Sequence, residues 1–66
     1  MRINRVKLVS EMTRKDMTVK RLAELARVSR STVTGVKTGK TCSQTTGDRI
    51  ASALGVPVEK LIQKEE

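Results

Sequence analysis

The stretch that decides the fold is VKRLAELARVSRSTVTGVKT, residues 19–38. Thr18 directly precedes its first apolar-periodic run and is a good N-cap, so we predict a helix that begins there and stops near Arg27. Ser29 stands in the same relation to a second run and predicts another helix over Arg30–Thr38. Two short helices joined by a tight turn are therefore expected in this stretch.

The apolar residues of this stretch are spaced as in a helix-turn-helix motif. Two helices that cross steeply at a short turn need a small side chain where they touch, and Ala23 supplies it. Val28, Val33 and Val36 are then expected to pack against the first helix from the other side. This packing leaves the outer face of the second helix free, and the DNA major groove is wide enough to admit one helix.

A further helix is predicted before the motif, over about Asn4–Lys15, because apolar residues recur there at helical spacing. The alternative is that Met1–Ile3 is extended rather than helical. The residues expected to form the apolar stripe of this first helix are Ile3, Val6, Leu8, Val9 and Met12.

Two more helices are predicted after the motif. One covers Gln44–Leu54 and is ended by Gly55, and Pro57 suits the first turn of a short fifth helix. The predicted fold is all-α, a compact bundle of five short helices in a single domain, residues 1–66, with the helix-turn-helix at about 18–38. The apolar residues of the last two helices are Ile50, Ala51, Leu54, Val58, Leu61 and Ile62.

Two segments of the chain resemble the Cro/C1 repressor-type (XRE-like) family of bacterial and phage DNA-binding proteins. They are TVKRLAELARVSRSTVTGVKTGK, residues 18–40, and IASALGVPVEKLI, residues 50–62. Each piece alone is a weak signal, but together, in this order and at this spacing, they are specific and cover nearly the whole chain. The resemblance implies a lambda repressor-like DNA-binding domain of five helices.

The resemblance also implies roles for individual residues. Base edges would be read from the exposed start and face of the second helix of the motif, where Arg30 suits a bidentate contact with guanine. Phosphates would be held at the helix starts and after the end of that helix. The implied base-reading residues are Arg30, Ser31 and Thr34, and the implied phosphate-binding residues are Thr18, Lys20, Ser29, Lys37, Lys40 and Thr41.

The chain departs from the family's pattern at several positions. Arg27 stands where the turn usually has glycine, which has a modest cost if that residue is left-handed. Val19 stands where the family often has a phosphate-holding glutamine, so backbone N–H groups and the helix dipole are left to act there, with Lys20 nearby. Leu25 replaces a polar residue, and residues 47–48 are Gly-Asp where apolar residues are usual.

The segment TGVKTGKT, residues 34–41, superficially resembles a nucleotide-binding P-loop. A P-loop needs four residues between its first glycine and its Gly-Lys pair, whereas Gly35 and Gly39 enclose only Val36, Lys37 and Thr38. Nothing before Thr34 suggests the buried strand that a P-loop follows. We therefore interpret Gly39 as the end of a helix and Lys40 as a basic residue beyond it.

The composition favours a polyanionic partner and disfavours most other functions. The net charge is +7, and no acidic residue lies between Leu25 and Gly47. Without histidine and with Cys42 as the only cysteine, no acid–base pair, metal site or cofactor site is expected. The absence of aromatic residues disfavours RNA binding by stacking. The basic residues do not form one face opposite a strongly apolar one, which disfavours a membrane surface.

The function predicted from the sequence is that of a sequence-specific transcriptional regulator of double-stranded DNA. We expect a cytoplasmic, nucleoid-associated repressor without a small-molecule ligand, which acts as a homodimer on a near-palindromic operator. The alternative is an antitoxin-like or antirepressor-binding protein whose main partner is another protein. The residues expected at the dimer interface are Val56, Val58, Leu61 and Ile62.

Overall fold

The computed structural model describes residues 1–62, and residues 63–66 lie outside the described part. The elements in chain order are α1 Arg5–Arg14, α2 Val19–Ala26, α3 Arg30–Lys37, α4 Gln44–Leu54 and a 3₁₀ turn, Val58–Lys60. The all-α class and the helix-turn-helix, formed by α2 and α3, are confirmed. The prediction of a fifth α-helix was wrong for the described residues, because up to residue 62 a 3₁₀ turn forms in its place.

Each α-helix begins at a polar side chain that accepts hydrogen bonds from backbone N–H groups of the first turn. Thr18 Oγ1 accepts from Arg21 N at 3.1 Å, as the sequence predicted. Such a cap stabilises a helix by roughly 0.5–2 kcal/mol, which matters for helices of eight residues. The four N-caps are Asn4, Thr18, Ser29 and Ser43.

Each α-helix also ends in a similar way, with one residue in the left-handed region. At the end of α2, Val28 N donates to Ala23 O at 3.1 Å and Arg27 N donates to Glu24 O at 3.3 Å, the two bonds of a Schellman motif. This geometry reverses the chain sharply and sets up the turn between α2 and α3. The left-handed residues are Asp16, Arg27, Gly39 and Gly55, with φ of 52°, 59°, 102° and 71°.

The core lies where α2 packs against α3 and α4, with α1 packed on α3 and the 3₁₀ turn on α4. Ala23, at the centre of α2, is 3% exposed, in agreement with its predicted role as the small residue at the helix crossing. The buried apolar residues are Ile3, Leu8, Met12, Leu22, Ala23, Ala26, Val33, Val36, Ile50, Ala51, Leu54 and Leu61.

The apolar stripe predicted for α1 was wrong in part. Leu8 and Met12, four residues apart, lie on one face of the helix and are buried in the core. Val6 and Val9 lie on the outer face instead, and they remain 68% and 38% exposed. Helix α1 therefore has two apolar stripes, of which the fold covers one.

The N-terminal segment is extended, which confirms the alternative stated for Met1–Ile3. Met1 exchanges backbone hydrogen bonds with Cys42, and Ile3 forms an isolated antiparallel bridge with Ile62. Because the chain leaves the 3₁₀ turn to make this bridge, the predicted fifth helix does not continue. The Met1 side chain lies against Gly47 inside α4, so a Cβ at this position would require the end of the Met1 side chain to move.

Candidate nucleic-acid interface

Helix α3 is held by one face and exposes the other. Val33 and Val36 are 0% and 2% exposed and fix the helix against the core. Arg30, Ser31 and Thr34, the predicted base-reading residues, are all exposed. The order of residues in α3 thus presents a polar, basic face at one side of the domain.

The two N-cap hydroxyls predicted to hold phosphates are already engaged with their own helices. Ser29 Oγ accepts from Thr32 N at 3.1 Å and lies 2.8 Å from Thr32 Oγ1. Thr18 Oγ1 makes the equivalent bond in α2. Because a hydroxyl is a donor as well as an acceptor, Thr18 retains a donor for an external oxygen. Ser29 retains one when Thr32 Oγ1 is the donor of the hydrogen bond that the two hydroxyls share.

A shallow groove of about 230 Å³ lies between the outer face of α3 and the start of α4. It brings together Ser31, Lys40 and Thr41 from the predicted site, with Gly35 between them. Lys40 is turned back onto the helix because Gly39 is left-handed and Lys40 N donates to Gly35 O at 3.0 Å. Base-reading and phosphate-binding candidates are thus adjacent here.

Sequence reasoning missed the contribution of Ser43 to this groove. Ser43 Oγ accepts from Thr46 N at 3.1 Å and donates to Thr46 Oγ1 at 3.0 Å, so the exposed start of α4 opens at the groove. The signal was present, because a serine directly before the first residue of a predicted helix is a favoured N-cap.

The remaining predicted lysines lie elsewhere on the surface. Lys37 lines a different depression, together with residues of α1 such as Val9 and Arg14, rather than the groove beside α4. Lys20 is exposed on α2, directly after the Thr18 cap and Val19. The structure therefore brings Lys40 into one groove with Ser31, a predicted base-reading residue, and it does not bring Lys37 into that groove.

The charge distribution leaves the cations of this surface available to a ligand. Among residues 1–62, ion pairs join Glu11 to Arg14 and Lys15, at 3.3 and 3.1 Å, and Glu24 to Arg21 at 3.8 Å. The hydrogen bond from Lys15 lowers the pKa of Glu11. These pairs lie on α1 and α2, and none of them involves a basic residue of α3 or of the loop that follows it.

Three other features of the described residues bear on function: the Cys42 thiol, the possible metal ligands and the length of the apolar helices. Burial raises the pKa of the half-buried Cys42 thiol, which keeps the sulfur in its unreactive, protonated form at neutral pH. Within residues 1–62 no cluster of histidine, cysteine or acidic side chains could hold a metal ion. No helix in this part is long and apolar enough to span a bilayer.

The comparison with protein families agrees with this geometry. The Cro/C1-type HTH DNA-binding domain matches residues 7–65. The chain belongs to this family. As a Cro/C1-type domain, it is a DNA-binding, helix-turn-helix protein of transcription regulation, and the resemblance drawn from residues 18–40 and 50–62 is confirmed. No curated protein matches this Cro/C1-type sequence.

Two solved structures of PhpD share the fold of this Cro/C1-type domain. One is native PhpD with cadmium atoms, and the other is PhpD with cadmium complexed with hydroethylphosphonate. Each matches with a TM-score of 0.84 at 23% sequence identity, over 100% of this chain. The chain spans only 14% of the PhpD chain, so the likeness concerns the fold alone.

The predicted dimer residues require one correction. The Leu61 side chain is 0% exposed within the monomer, so it belongs to the core and has no surface to offer a second subunit. The hydrogen bond from Asn4 N to Leu61 O, 2.7 Å long, fixes it there. Val56, Val58 and Ile62 are half-buried and keep some apolar surface at this end of the domain.

Proposed function

We propose that this Cro/C1-type domain is a sequence-specific repressor that binds double-stranded DNA as a homodimer on a near-palindromic operator. The observation that carries the proposal is the outer face of α3, where Arg30, Ser31 and Thr34 are all exposed and Ser31 shares a groove with Lys40. No acidic residue lies between Leu25 and Gly47. Repression would follow from occupancy, because a bound dimer blocks access of the polymerase. Such a regulator would act in the cytoplasm, on the nucleoid.

Base recognition is assigned to the first turns of α3. Arg30 is long enough to reach a base edge and has a forked group that matches the two acceptors of guanine, a contact that discriminates by about 1–3 kcal/mol. Ser31 and Thr34 have short side chains and read bases only where α3 approaches closely. Gly35, one residue on, has no side chain and therefore permits that approach.

Phosphate contacts are assigned to the surrounding residues. The caps Thr18 and Ser29 present helix N-termini, where backbone N–H groups and the helix dipole favour an anion. Lys20, Lys37 and Lys40 add positive charge. For each phosphate that they neutralise, the slope of the logarithm of the DNA-binding constant against the logarithm of the salt concentration becomes steeper by about 0.9. The assigned phosphate-binding residues are Thr18, Lys20, Ser29, Lys37, Lys40 and Thr41.

The proposal is tested by selecting bound sequences from a random duplex pool and then comparing two variants on the selected site. Arg30→Ala is expected to relax the preference at one base pair in each half-site. Lys40→Ala is expected to weaken all sequences alike and to reduce the salt slope by about one. Lys7→Ala is the matched control, since it removes a positive charge from an exposed position of α1 outside the proposed DNA and dimer contacts.

Uniform loss of affinity in both Arg30→Ala and Lys40→Ala would show that Arg30 does not read bases. An equal loss in Lys7→Ala would show that the net charge alone binds DNA.

The dimer is tested separately from base reading. Two copies should occupy half-sites about one helical turn, ~34 Å, apart. The candidate contact is the half-buried C-terminal end formed by Val56, Val58 and Ile62. Sedimentation that gives only monomer, both with and without operator DNA, would remove the dimer from the proposal and leave the DNA-binding assignment in place.

A further inference from the structure

The outer face of α1 has apolar surface that the fold leaves uncovered. Val6 is 68% exposed, and it lines a depression of about 660 Å³ together with Val9 and Thr13. The surface around this depression is basic, because Arg5, Arg14 and Lys37 also line it. We call the surface formed by Arg5, Val6, Val9, Ser10, Thr13, Arg14 and Lys37 the α1 groove.

The apolar part of the α1 groove, formed by Val6 and Val9, suits neither the core of this domain nor DNA. Leu8 and Met12 already supply the apolar contacts that hold α1 in place. A duplex backbone offers charged phosphates, which gain nothing from contact with two valines. An apolar strip with a charged rim is instead typical of a surface that receives an amphipathic segment of a protein.

We infer that the α1 groove binds an acidic amphipathic helix of another protein, with apolar residues against Val6 and Val9 and carboxylates toward Arg5, Arg14 and Lys37. Charge decides between this occupant and a second copy of the chain. Two copies joined through this face would bring like charges together, whereas an acidic helix would complement all three cations. Of the acidic residues nearby, Glu11 is engaged with Arg14 and Lys15 along one edge of the helix.

The position of Lys37 links this surface to DNA binding, a consequence that rests on the proposed function. Lys37 is both a residue of the α1 groove and an assigned phosphate contact. An acidic helix that engages Lys37 would compete with the operator for it. The partner would then weaken operator binding, and DNA would weaken partner binding by the same factor.

The test uses a synthetic helical peptide with leucines along one face and glutamates along both edges of that face. Binding is followed by amide chemical shifts of the full chain and by titration calorimetry. We expect the shifts to concentrate in α1, and the double variant Val6→Ser/Val9→Ser to bind at least about tenfold more weakly. Leu25→Ser is the matched control, because Leu25 is also apolar and 45% exposed but lies on α2.

Several results would overturn the inference. They are no binding of the glutamate peptide, equal binding of a peptide with lysines in place of the glutamates, or an equal loss in Leu25→Ser. Self-association that is abolished by Val6→Ser/Val9→Ser would make the occupant a second copy. The variants should retain wild-type circular dichroism and operator affinity. Failure of operator binding in the wild-type chain, with peptide binding intact, would count against the proposed function and not against the α1 groove.

Discussion

Gly35 provides a sharp test of how α3 is built, because nothing in the folded domain requires a glycine there. It lies inside the helix, and its φ is not among the positive values. A Cβ built on it would meet only the Lys40 side chain, with Cδ at 3.4 Å and Cβ at 3.9 Å. These are ordinary van der Waals distances to a flexible side chain.

Gly35→Ala should therefore stabilise the free protein. Glycine in a helix interior is destabilising by roughly 0.5–1 kcal/mol relative to alanine, because it loses more backbone entropy on folding. For a domain of this size, 1 kcal/mol shifts the melting temperature by about 4–8 °C. Because the chain has no aromatic residue, thermal unfolding is followed by far-ultraviolet circular dichroism rather than by fluorescence.

The control for Gly35→Ala is Gly55→Ala, the same substitution at a glycine with open space around it. Gly55 has φ of 71° and no atom within 4 Å of the Cβ position, so only the backbone conformation opposes alanine. The left-handed region costs an alanine about 1–2 kcal/mol, and this variant should unfold at a lower temperature.

The two variants should thus move the melting temperature in opposite directions. A lower melting temperature in Gly35→Ala would refute the claim that the free domain has no need of this glycine. Operator affinity is measured on the same sample, and it should fall several-fold if the DNA backbone approaches α3 at this point. A stabilised variant with unchanged affinity would show that DNA does not approach Gly35 closely.

Three further predictions concern the turn, the crossing and α1. Arg27→Gly should raise the free energy of unfolding by roughly 0.5–1 kcal/mol in urea titrations, because glycine avoids the strain at φ 59° although it loses more entropy on folding. Ala23→Leu should lower it by about 1–3 kcal/mol by overpacking, since Ala23 is 3% exposed where the helices meet. Glu11→Gln should be less stable than the wild type, with the full difference present above the unfolded pKa of glutamate, ~4.3. The difference should vanish as the pH falls through the lowered pKa of Glu11 in the folded protein. A difference in urea midpoint between Glu11→Gln and the wild type that does not change with pH would contradict the last prediction.

The helix-turn-helix could be predicted from the sequence because local signals and packing agree there. Thr18 and Ser29 are strong N-caps, and the buried residues of α2 and α3 recur at helical spacing. Arg27 was the one local conflict, a side chain at a left-handed position. The packing of Ala23 and the bond from Val28 N to Ala23 O stabilise the turn enough to hold Arg27 there.

The burial of α1 could not be predicted, because the helix has two apolar stripes at acceptable spacing. Val6 and Val9 are as apolar as the residues that face the core. The choice of face is made by tertiary packing, since α1 packs on α3 and the residue before it, Ile3, is bridged to Ile62 near the other end of the chain. The spacing of apolar residues along the sequence does not predict such a long-range contact. The bridge between Ile3 and Ile62 also lies where the fifth helix was expected to continue.

The candidate site was predicted more fully in its chemistry than in its arrangement. Exposure of Arg30, Ser31 and Thr34 follows from the burial of Val33 and Val36, which the spacing indicated. The separation of Lys37 from Lys40 does not follow from spacing, because it depends on the reversal of the chain at Gly39. The assignment of roles within the site remains a prediction that the DNA experiments test.

Helix α3 is too short to be stable alone, and this affects how a loss of DNA affinity in a variant is interpreted. An isolated helix of eight residues is marginal in water, so α3 depends on its packing against α1 and α2. The whole domain is expected to have a free energy of unfolding of only about 3–10 kcal/mol. A core substitution such as Ala23→Leu can therefore weaken DNA binding without touching the interface. Loss of operator affinity identifies a contact residue only when the melting temperature of the free variant is unchanged, as we expect for Arg30→Ala and Lys40→Ala.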